Sequence, residues 1–227
     1  MYMPIRVSAA AKAAARGSFA LIFGALGVLA TTAPAEANWF SSTPVKATVQ
    51  AEGSFHKGPR GYHRMCVREP DLCAYDRQAA ETQGATAPAP IDKARWQQVD
   101  DINSNLNWKI RPRVDQGPDY WTIGLRSGDC EDYAIAKKHA LIEAGFSPDQ
   151  LLYAVVGGIR TRYHLVLILR TEHGDYVLDN LTDRIKPWER SGYSFVVRQT
   201  AENPMQWARI TGADTRVAQG SPSVVTQ

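Results

Sequence analysis

The chain has 227 residues, with 26 Lys and Arg against 23 Asp and Glu, and its calculated isoelectric point is about 8.8. Three of the basic residues lie within the first 16 positions, so the small positive excess says little about binding partners. No stretch interleaves Lys or Arg with aromatic residues. The composition therefore gives no support to nucleic-acid binding.

The amino terminus has the pattern of a secretory signal peptide, which we assign to residues 1–37. Its basic region contains Arg6, Lys12 and Arg16. Residues 19–30 are apolar, and residues 35–37 (AEA) fit the small-residue cleavage rule. A transmembrane anchor is the alternative, but the apolar run is shorter than the ~20 residues that a span needs. We expect export to the periplasm or the medium, which leaves roughly 190 residues, enough for one domain with a core.

Residues 38–90 form an N-terminal segment that contains two of the three cysteines. Cys66 and Cys73 have a spacing that can close a short disulfide loop in an oxidising compartment. A metal site is the alternative for this pair, but the second pair of ligands that zinc needs is missing. Cys130 is then the unpaired thiol, and a crossed disulfide that involves it stays open as an alternative.

Residues 91–212 carry the pattern of a folded domain, and residues 213–227 are a polar tail that we expect to be disordered. Asp92 is placed to cap a helix. The core-facing positions of that helix are predicted to be Trp96, Val99, Ile102 and Leu106. Residues 110–125 contain Pro and Gly at several positions, which indicates an irregular loop.

A second helix is predicted from Cys130 to Gly145, with Pro148 just beyond its end. Alanine recurs in it at every fourth position from Ala136 to Ala144, and this small-residue stripe predicts close packing of the helix on a sheet. Four strands follow, at residues 151–156, 163–169, 176–179 and 193–198. The second of them is apolar on both faces, and residues 172–175 supply the turn to the third.

The start of the second helix carries the main chemical signal. Asp129 is placed to cap the helix, so Cys130 lies at the positive end of the helix dipole, which lowers a thiol pKa. Asp129, Glu131 and Asp132 also put three carboxylates beside the thiol, and their charge opposes thiolate formation. The alternative is a buried and chemically inert cysteine.

His164 on an apolar strand and Asp179 at the end of the next strand are candidates for a base and the group that orients it. They share one face of a hairpin only if the turn has an even number of residues, and the sequence leaves that register open. The backbone N–H of Cys130 can stabilise an oxyanion. Trp121 and Gln116 are the candidates for a second oxyanion donor, and packing is the alternative role of the tryptophan.

The motifs GDCEDYAIAKKHALIEAG, YHLVLIL and GDYVLDNL resemble those of the bacterial transglutaminase-like cysteine peptidases. The best-known branch of that family is the periplasmic, calcium-dependent proteases that cleave adhesins. The resemblance runs from about residue 91 to residue 205. It implies an α+β, papain-like fold in which a nucleophile helix packs on an antiparallel β-sheet. It also implies that Cys130 is the nucleophile, His164 the general base and Asp179 the residue that orients the imidazole.

The same resemblance gives the carboxylates a purpose. The adhesin-cleaving relatives bind calcium with acidic residues that flank the cysteine, and these match Asp129 and Glu131, with Asp132 as a third candidate. Calcium prefers such oxygen ligands, and its charge would offset that of the carboxylates. The alternative is that the acids only complement the helix dipole. The implied partners are a protein substrate, for which a surface adhesin is the model, and an inner-membrane regulator.

The prediction from the sequence is a secreted or periplasmic cysteine endopeptidase. An amidase or transamidase would use the same triad, with an amine in place of water in the second case. A different class of protein is also possible from the sequence, a non-catalytic module of the same fold that binds calcium or a partner. All three triad positions are filled, which weighs against that module.

Overall fold

The computed structural model describes residues 51–82, 90–115, 119–123, 126–157 and 163–211. The predicted signal peptide, the polar tail and Gln116 lie outside these ranges. No helix within them has both the length and the apolar character needed to cross a membrane.

Four helices and one large antiparallel sheet make up the described part of the chain, an α+β fold of the papain-like type. The helices are α1 (Arg60–Arg68), α2 (Ala74–Glu81), α3 (Lys93–Lys109) and α4 (Cys130–Glu143). The strands are β1 (Ala51–His56), β2 (Arg111–Pro112), β3 (Ser127–Gly128), β4 (Leu151–Gly157), β5 (His164–Thr171), β6 (Gly174–Leu178), β7 (Lys186–Pro187), β8 (Ser194–Gln199) and β9 (Trp207–Thr211). The large sheet has the order β1-β9-β8-β4-β5-β6-β7, and β2 and β3 form a short parallel pair.

The sheet is covered on both faces, which explains why β5 is apolar along almost its whole length. Leu165 and Leu167 pack into the same cluster as Ile135 of α4. The alternate residues, Val166 and Ile168, face the other side and pack into a second cluster. The prediction that this strand is buried on both faces is confirmed, since its first six residues are all buried.

Helix α4 is buried from its first residue, and both ends are set by local sequence. It begins at Cys130 and stops before Gly145, whose φ of +87° is accessible to glycine at little cost. The alanine stripe does not pack as one face. Ala136 packs with Ile110 and Leu106 at the end of α3, whereas Ala144 packs against the main core cluster, which contains the sheet residues Leu165 and Leu167.

Helices α1 and α2 and strands β1 and β9 were not predicted from the sequence. Helices α1 and α2 are short and rich in charged residues, and they show only a few apolar positions. Tyr62 and Met65 of α1, and Cys73 just before α2, are nevertheless fully buried in the main core. Cys66 and Cys73 form a disulfide with a Cα–Cα distance of 5.4 Å, as predicted, and it ties α1 to the turn that leads into α2.

A buried polar network joins α2 to α4 and the sheet. Asp76 and Lys138 form an ion pair in which both side chains are 2 % exposed. Asp76 also accepts hydrogen bonds from the Tyr62 hydroxyl at 2.7 Å and the Gln199 amide at 2.9 Å. The Lys138 ammonium lies 4.5 Å from the centre of the Tyr153 ring. Asp76 and Lys138 neutralise each other in the core, so removal of either charge leaves the other buried without its counter-ion.

We predict that Lys138→Met lowers the free energy of unfolding by about 3–5 kcal/mol, because it leaves the Asp76 carboxylate buried without its cation. Chemical denaturation monitored by tryptophan fluorescence measures the loss. The control is Lys109→Met, which removes an exposed lysine at the end of α3 and is expected to change stability by less than about 0.5 kcal/mol. Equal stability of the two variants would contradict the role assigned to the buried pair.

Candidate active site

The start of α4 is held by Asp132. One of its carboxylate oxygens accepts the backbone N–H of Asp129 at 3.3 Å, and the other accepts the N–H of Thr122 at 3.0 Å. A Cβ atom on Gly128 would lie 2.3 Å from the Asp132 carboxylate, so only glycine allows this close approach. Burial raises the pKa of Asp132 to about 7. These contacts fix the direction in which α4 leaves the preceding loop, and with it the position of Cys130.

The thiol of Cys130 lies against the first residues of β5. Its Sγ atom is 3.5 Å from the backbone nitrogen of Leu165, which donates to it. The thiol itself donates to Oε2 of Glu131 at 3.2 Å. Cys130 is 9 % exposed, and it is the one cysteine of the three that carries no disulfide. The predicted alternative of a crossed disulfide is therefore wrong.

His164 and Asp179 are joined by a hydrogen bond between Nε2 and Oδ1 of 2.8 Å. The sequence left the register of β5 and β6 open, and the register observed in the structure explains the contact. The turn between β5 and β6 is the two-residue Glu172-His173, closed by pairing of Thr171 with Gly174. Leu167 is opposite Leu178, so the same register extended by one residue puts Asp179 opposite Val166. His164 lies two residues before Val166 on the same strand, so its side chain is on the same face as that of Asp179. The two side chains therefore lie diagonally on one face of the hairpin.

The Asp179 carboxylate receives further hydrogen bonds. Oδ1 accepts the N–H of Leu181 at 3.0 Å, and Oδ2 accepts the hydroxyl of Tyr193 at 2.6 Å. Burial by itself would raise the pKa of Asp179, but the bonds from His164, Leu181 and Tyr193 hold it below its usual value. Asp179 is thus kept as a carboxylate although it is 3 % exposed.

The backbone of Asp179 is also supported. Its carbonyl oxygen accepts the Lys137 ammonium of α4 at 2.8 Å and the Asn107 amide of α3 at 2.8 Å. Burial lowers the pKa of Lys137 to about 7. Tyr193, Lys137 and Asn107 were not predicted from the sequence as site residues. For Lys137 a signal existed, since a lysine within an otherwise apolar stretch of helix has to find a buried partner.

Carboxyl groups cluster on the other side of Cys130. One oxygen from each of Asp115, Asp129 and Glu131 lies within 4.8 Å of the other two. Asp129 and Glu131 were predicted from the sequence as metal ligands, whereas Asp115 lies in the segment predicted only as an irregular loop. Asp132, the third predicted ligand, is not part of this cluster, and both of its oxygens accept backbone N–H groups.

The cluster has the donor chemistry of a hard-cation site. Asp129 and Glu131 each have one buried carboxyl oxygen without a hydrogen-bond partner among the described residues, and so does neighbouring Asp119. Burial and then the nearby charge of Asp129 raise the pKa of Glu131 to about 11. Acceptor oxygens that face one another in this way need either protons or a cation between them. Three carboxylates fit calcium, which takes oxygen ligands at a flexible number of positions.

The electrostatics of Cys130 follow from these neighbours. Burial raises the pKa of the thiol well above its usual value, the charge of Glu131 raises it next, and Asp129 adds to the effect. The N–H of Leu165 opposes them. The lowering by the helix dipole that the sequence suggested is therefore outweighed by burial and the two carboxyl groups.

A cavity of about 730 Å³ opens onto these groups. Its lining includes Cys130, His164, Asp179 and Tyr193. Trp121 is not among the lining residues. It is fully buried and packs edge-on against Tyr62 and Tyr153, so the packing role holds for it and not the oxyanion role.

Among curated protein sequences, none matches the chain significantly. Solved structures of LapG from Legionella pneumophila do. The calcium-bound form shares 21% identity over 68% of this chain and 83% of that chain, with a TM-score of 0.44. A second LapG structure shares 22% identity over 58% of this chain and 74% of that chain, with a TM-score of 0.42. Likenesses at this distance do not transfer the role of any residue.

The family comparison is more extensive. The family model described as bacterial transglutaminase-like cysteine proteinase matches residues 52–215. The matched region begins before residue 91, where the resemblance of the sequence motifs begins, and it includes the Cys66–Cys73 disulfide. It also contains the whole of the site described above. The chain belongs to the bacterial transglutaminase-like cysteine proteinases and is a cysteine peptidase.

Proposed function

We propose that the protein is an exported endopeptidase that hydrolyses protein substrates with Cys130, His164 and Asp179. The observation that carries the proposal is the meeting of three groups at the cavity. The Cys130 thiol is held by the backbone N–H of the residue after His164, and His164 is held by Asp179 at 2.8 Å. A nucleophile, a base and an orienting carboxylate in that order are what acyl transfer by a thiol requires.

The hydrogen bonds support the following proposed proton path. Because Nε2 of His164 is bonded to Asp179, Nδ1 is the ring nitrogen that takes the proton of Cys130. The thiolate attacks the carbonyl carbon of the scissile bond, and the Cys130 backbone N–H, one of the first N–H groups of α4, donates to the oxyanion. His164 then gives its proton to the departing amine, which leaves a thioester on Cys130.

Hydrolysis of the thioester repeats the path with water. His164 removes a proton from the water, whose oxygen attacks the thioester carbonyl, and the proton returns to the Cys130 sulfur as the acid product leaves. Asp179 stays ionised throughout and stabilises the imidazolium that forms in each half-reaction. The role of Tyr193 is to hold Asp179 in place, because its hydroxyl binds the oxygen that His164 does not use.

We also propose that the cluster of carboxyl groups binds calcium. Asp115, Asp129 and Glu131 would supply the ligands, and Asp132 would continue to accept the backbone N–H groups of Asp129 and Thr122. When bound, the ion supplies positive charge beside the thiol, which favours the thiolate. Glu131 as a calcium ligand would no longer accept the Cys130 proton, so His164 would be left as its acceptor.

Export is supported by the Cys66–Cys73 disulfide, which persists in oxidising compartments such as the periplasm. It agrees with the signal peptide predicted for residues 1–37. A protein at the cell surface is the substrate proposed here, because the sequence motifs resemble those of adhesin-cleaving proteases.

For the nucleophile, we predict that Cys130→Ala lowers hydrolysis of a protein substrate by at least about 10³-fold, as loss of a catalytic nucleophile does in other triads. Thermal unfolding should show that the variant remains folded. The matched control is Ser127→Ala, which shortens a side chain three residues earlier that does not line the cavity, and should keep its activity. Undiminished hydrolysis by Cys130→Ala would end the proposal.

For Tyr193, we predict that replacement by Phe lowers kcat by roughly 10- to 100-fold with little change in KM, since a hydrogen bond to a charged group contributes about 1.5–3 kcal/mol. Steady-state kinetics on one peptide substrate separate the two constants. Tyr176→Phe removes a phenol that packs on Trp96, away from Asp179, and serves as the control. A rise in KM at constant kcat would instead indicate that Tyr193 only contacts substrate.

For the cation, we predict that calcium raises the melting temperature of the wild-type protein, because an ion that binds only the folded state stabilises it, by about 2.7 kcal/mol at 100 times its Kd. Asp115→Asn should abolish most of that increase. The control Asp71→Asn removes an exposed carboxylate and should preserve it. A melting temperature that does not respond to calcium in the wild type would contradict the site.

A further inference from the structure

Three cationic side chains line the cavity that contains Cys130: Arg113, Arg184 and Lys186. Arg113 follows β2, Arg184 lies in the segment between β6 and β7, and Lys186 is the first residue of β7. Arg113 and Arg184 are exposed and Lys186 is half-buried. None of the three forms an ion pair within the part of the chain that the structure describes.

The acidic residues of the cavity do not neutralise these cations. Asp129 and Asp179 line it, but they are 6 % and 3 % exposed. Asp179 is engaged by His164 and Tyr193, and Asp129 accepts the N–H of Asp115 at 3.2 Å. Asp183, next to Arg184, is exposed and accepts the Asn107 amide at 2.8 Å, but it does not line the cavity. Among the charged residues that line the cavity, the accessible ones are therefore the three cations.

Two apolar side chains accompany the cations. Val114 is 42% exposed and Leu181 is 59% exposed, and both line the same cavity. Val114 directly follows Arg113 in the chain, and Leu181 lies three residues before Arg184. Apolar surface that is flanked by unpaired cations favours an occupant with an apolar side chain and carboxylates on either side of it.

We infer that the cavity selects acidic polypeptide segments, in which an apolar residue near the scissile bond is flanked by Asp or Glu. The inference rests on the proposed peptidase function of the same site. Charge complementarity of this kind acts mainly on the rate of encounter and on the rejection of basic segments, and it weakens as salt is added.

The first test measures the potential at Cys130 without any knowledge of the substrate. The thiol is alkylated with iodoacetate, which is an anion, and with iodoacetamide, which is neutral, at one fixed calcium concentration. The ratio of the two rates cancels differences in thiolate fraction and reports the attraction of negative charge. The variant replaces Arg113, Arg184 and Lys186 by Gln. The matched control replaces Lys57, Lys93 and Lys109 by Gln, three exposed lysines outside the cavity lining.

The rate ratio is expected to fall by about threefold or more in the cavity variant, since clefts lined by one sign of charge concentrate the opposite charge by tenfold or more. It should stay near the wild-type value in the control, which loses the same net charge. The wild-type ratio should also fall as sodium chloride is added. Equal ratios in the two variants would overturn the inference.

The second test maps cleavage sites in a peptide library prepared from a digested bacterial proteome. Asp and Glu are expected to be enriched beside the cleaved bonds, and the enrichment should be lost in the cavity variant. Cleavage without acidic enrichment overturns the inference but leaves the peptidase function in place. A library that is not cleaved counts against the peptidase function, and the alkylation ratio alone then decides the inference.

Discussion

The burial of carboxyl groups around one thiol is the constraint on which the site depends. Helix α4 can begin at Cys130 only because Asp132 binds the backbone ahead of it, and this arrangement brings Asp129 and Glu131 to the two sides of the sulfur. Burial makes their charge costly and raises the pKa of Glu131 to about 11, and Glu131 accepts a hydrogen bond from the thiol. The thiol can then ionise readily only when positive charge enters the cluster. The acidic cluster and the Cys130 thiol, the proposed nucleophile, are therefore electrostatically coupled.

On the other side of Cys130, His164 and Asp179 are held by strand register and hydrogen bonds rather than by a cluster of carboxyl groups. A two-residue turn sets the register of β5 and β6, and that register puts His164 and Asp179 on one face. Hydrogen bonds from Tyr193 and from Lys137 then hold Asp179 in its buried position. Cys130 and Lys137 both belong to α4, so one helix carries the proposed nucleophile and also supports the residue proposed to orient its base. Cys130 begins α4, His164 begins β5 and Asp179 directly follows β6, so each proposed triad residue lies at the end of a regular element.

The sequence predicted what depends on local pattern and missed what depends on tertiary contact. Helices α3 and α4 and the four central strands were predicted, because apolar periodicity and end signals are strong in them. Helices α1 and α2 were missed because few of their residues are buried. They are attached to the core by Tyr62 of α1 and by the Asp76–Lys138 ion pair between α2 and α4. Asp115 was missed for a related reason: a carboxylate in an irregular loop has no pattern, and only folding brings it to Asp129 and Glu131. The resemblance supplied the calcium hypothesis, which the residues alone would not have produced.

The link between the acidic cluster and the state of the thiol is tested most directly by the infrared S–H stretching band. Cys130 carries the chain's single thiol, since Cys66 and Cys73 are bridged, so the band reports on this residue alone and disappears in Cys130→Ala. At neutral pH the account predicts an S–H band in chelator and a marked loss of its intensity when calcium is added. A band of equal intensity under both conditions would contradict the claim that the carboxyl cluster controls ionisation of the nucleophile.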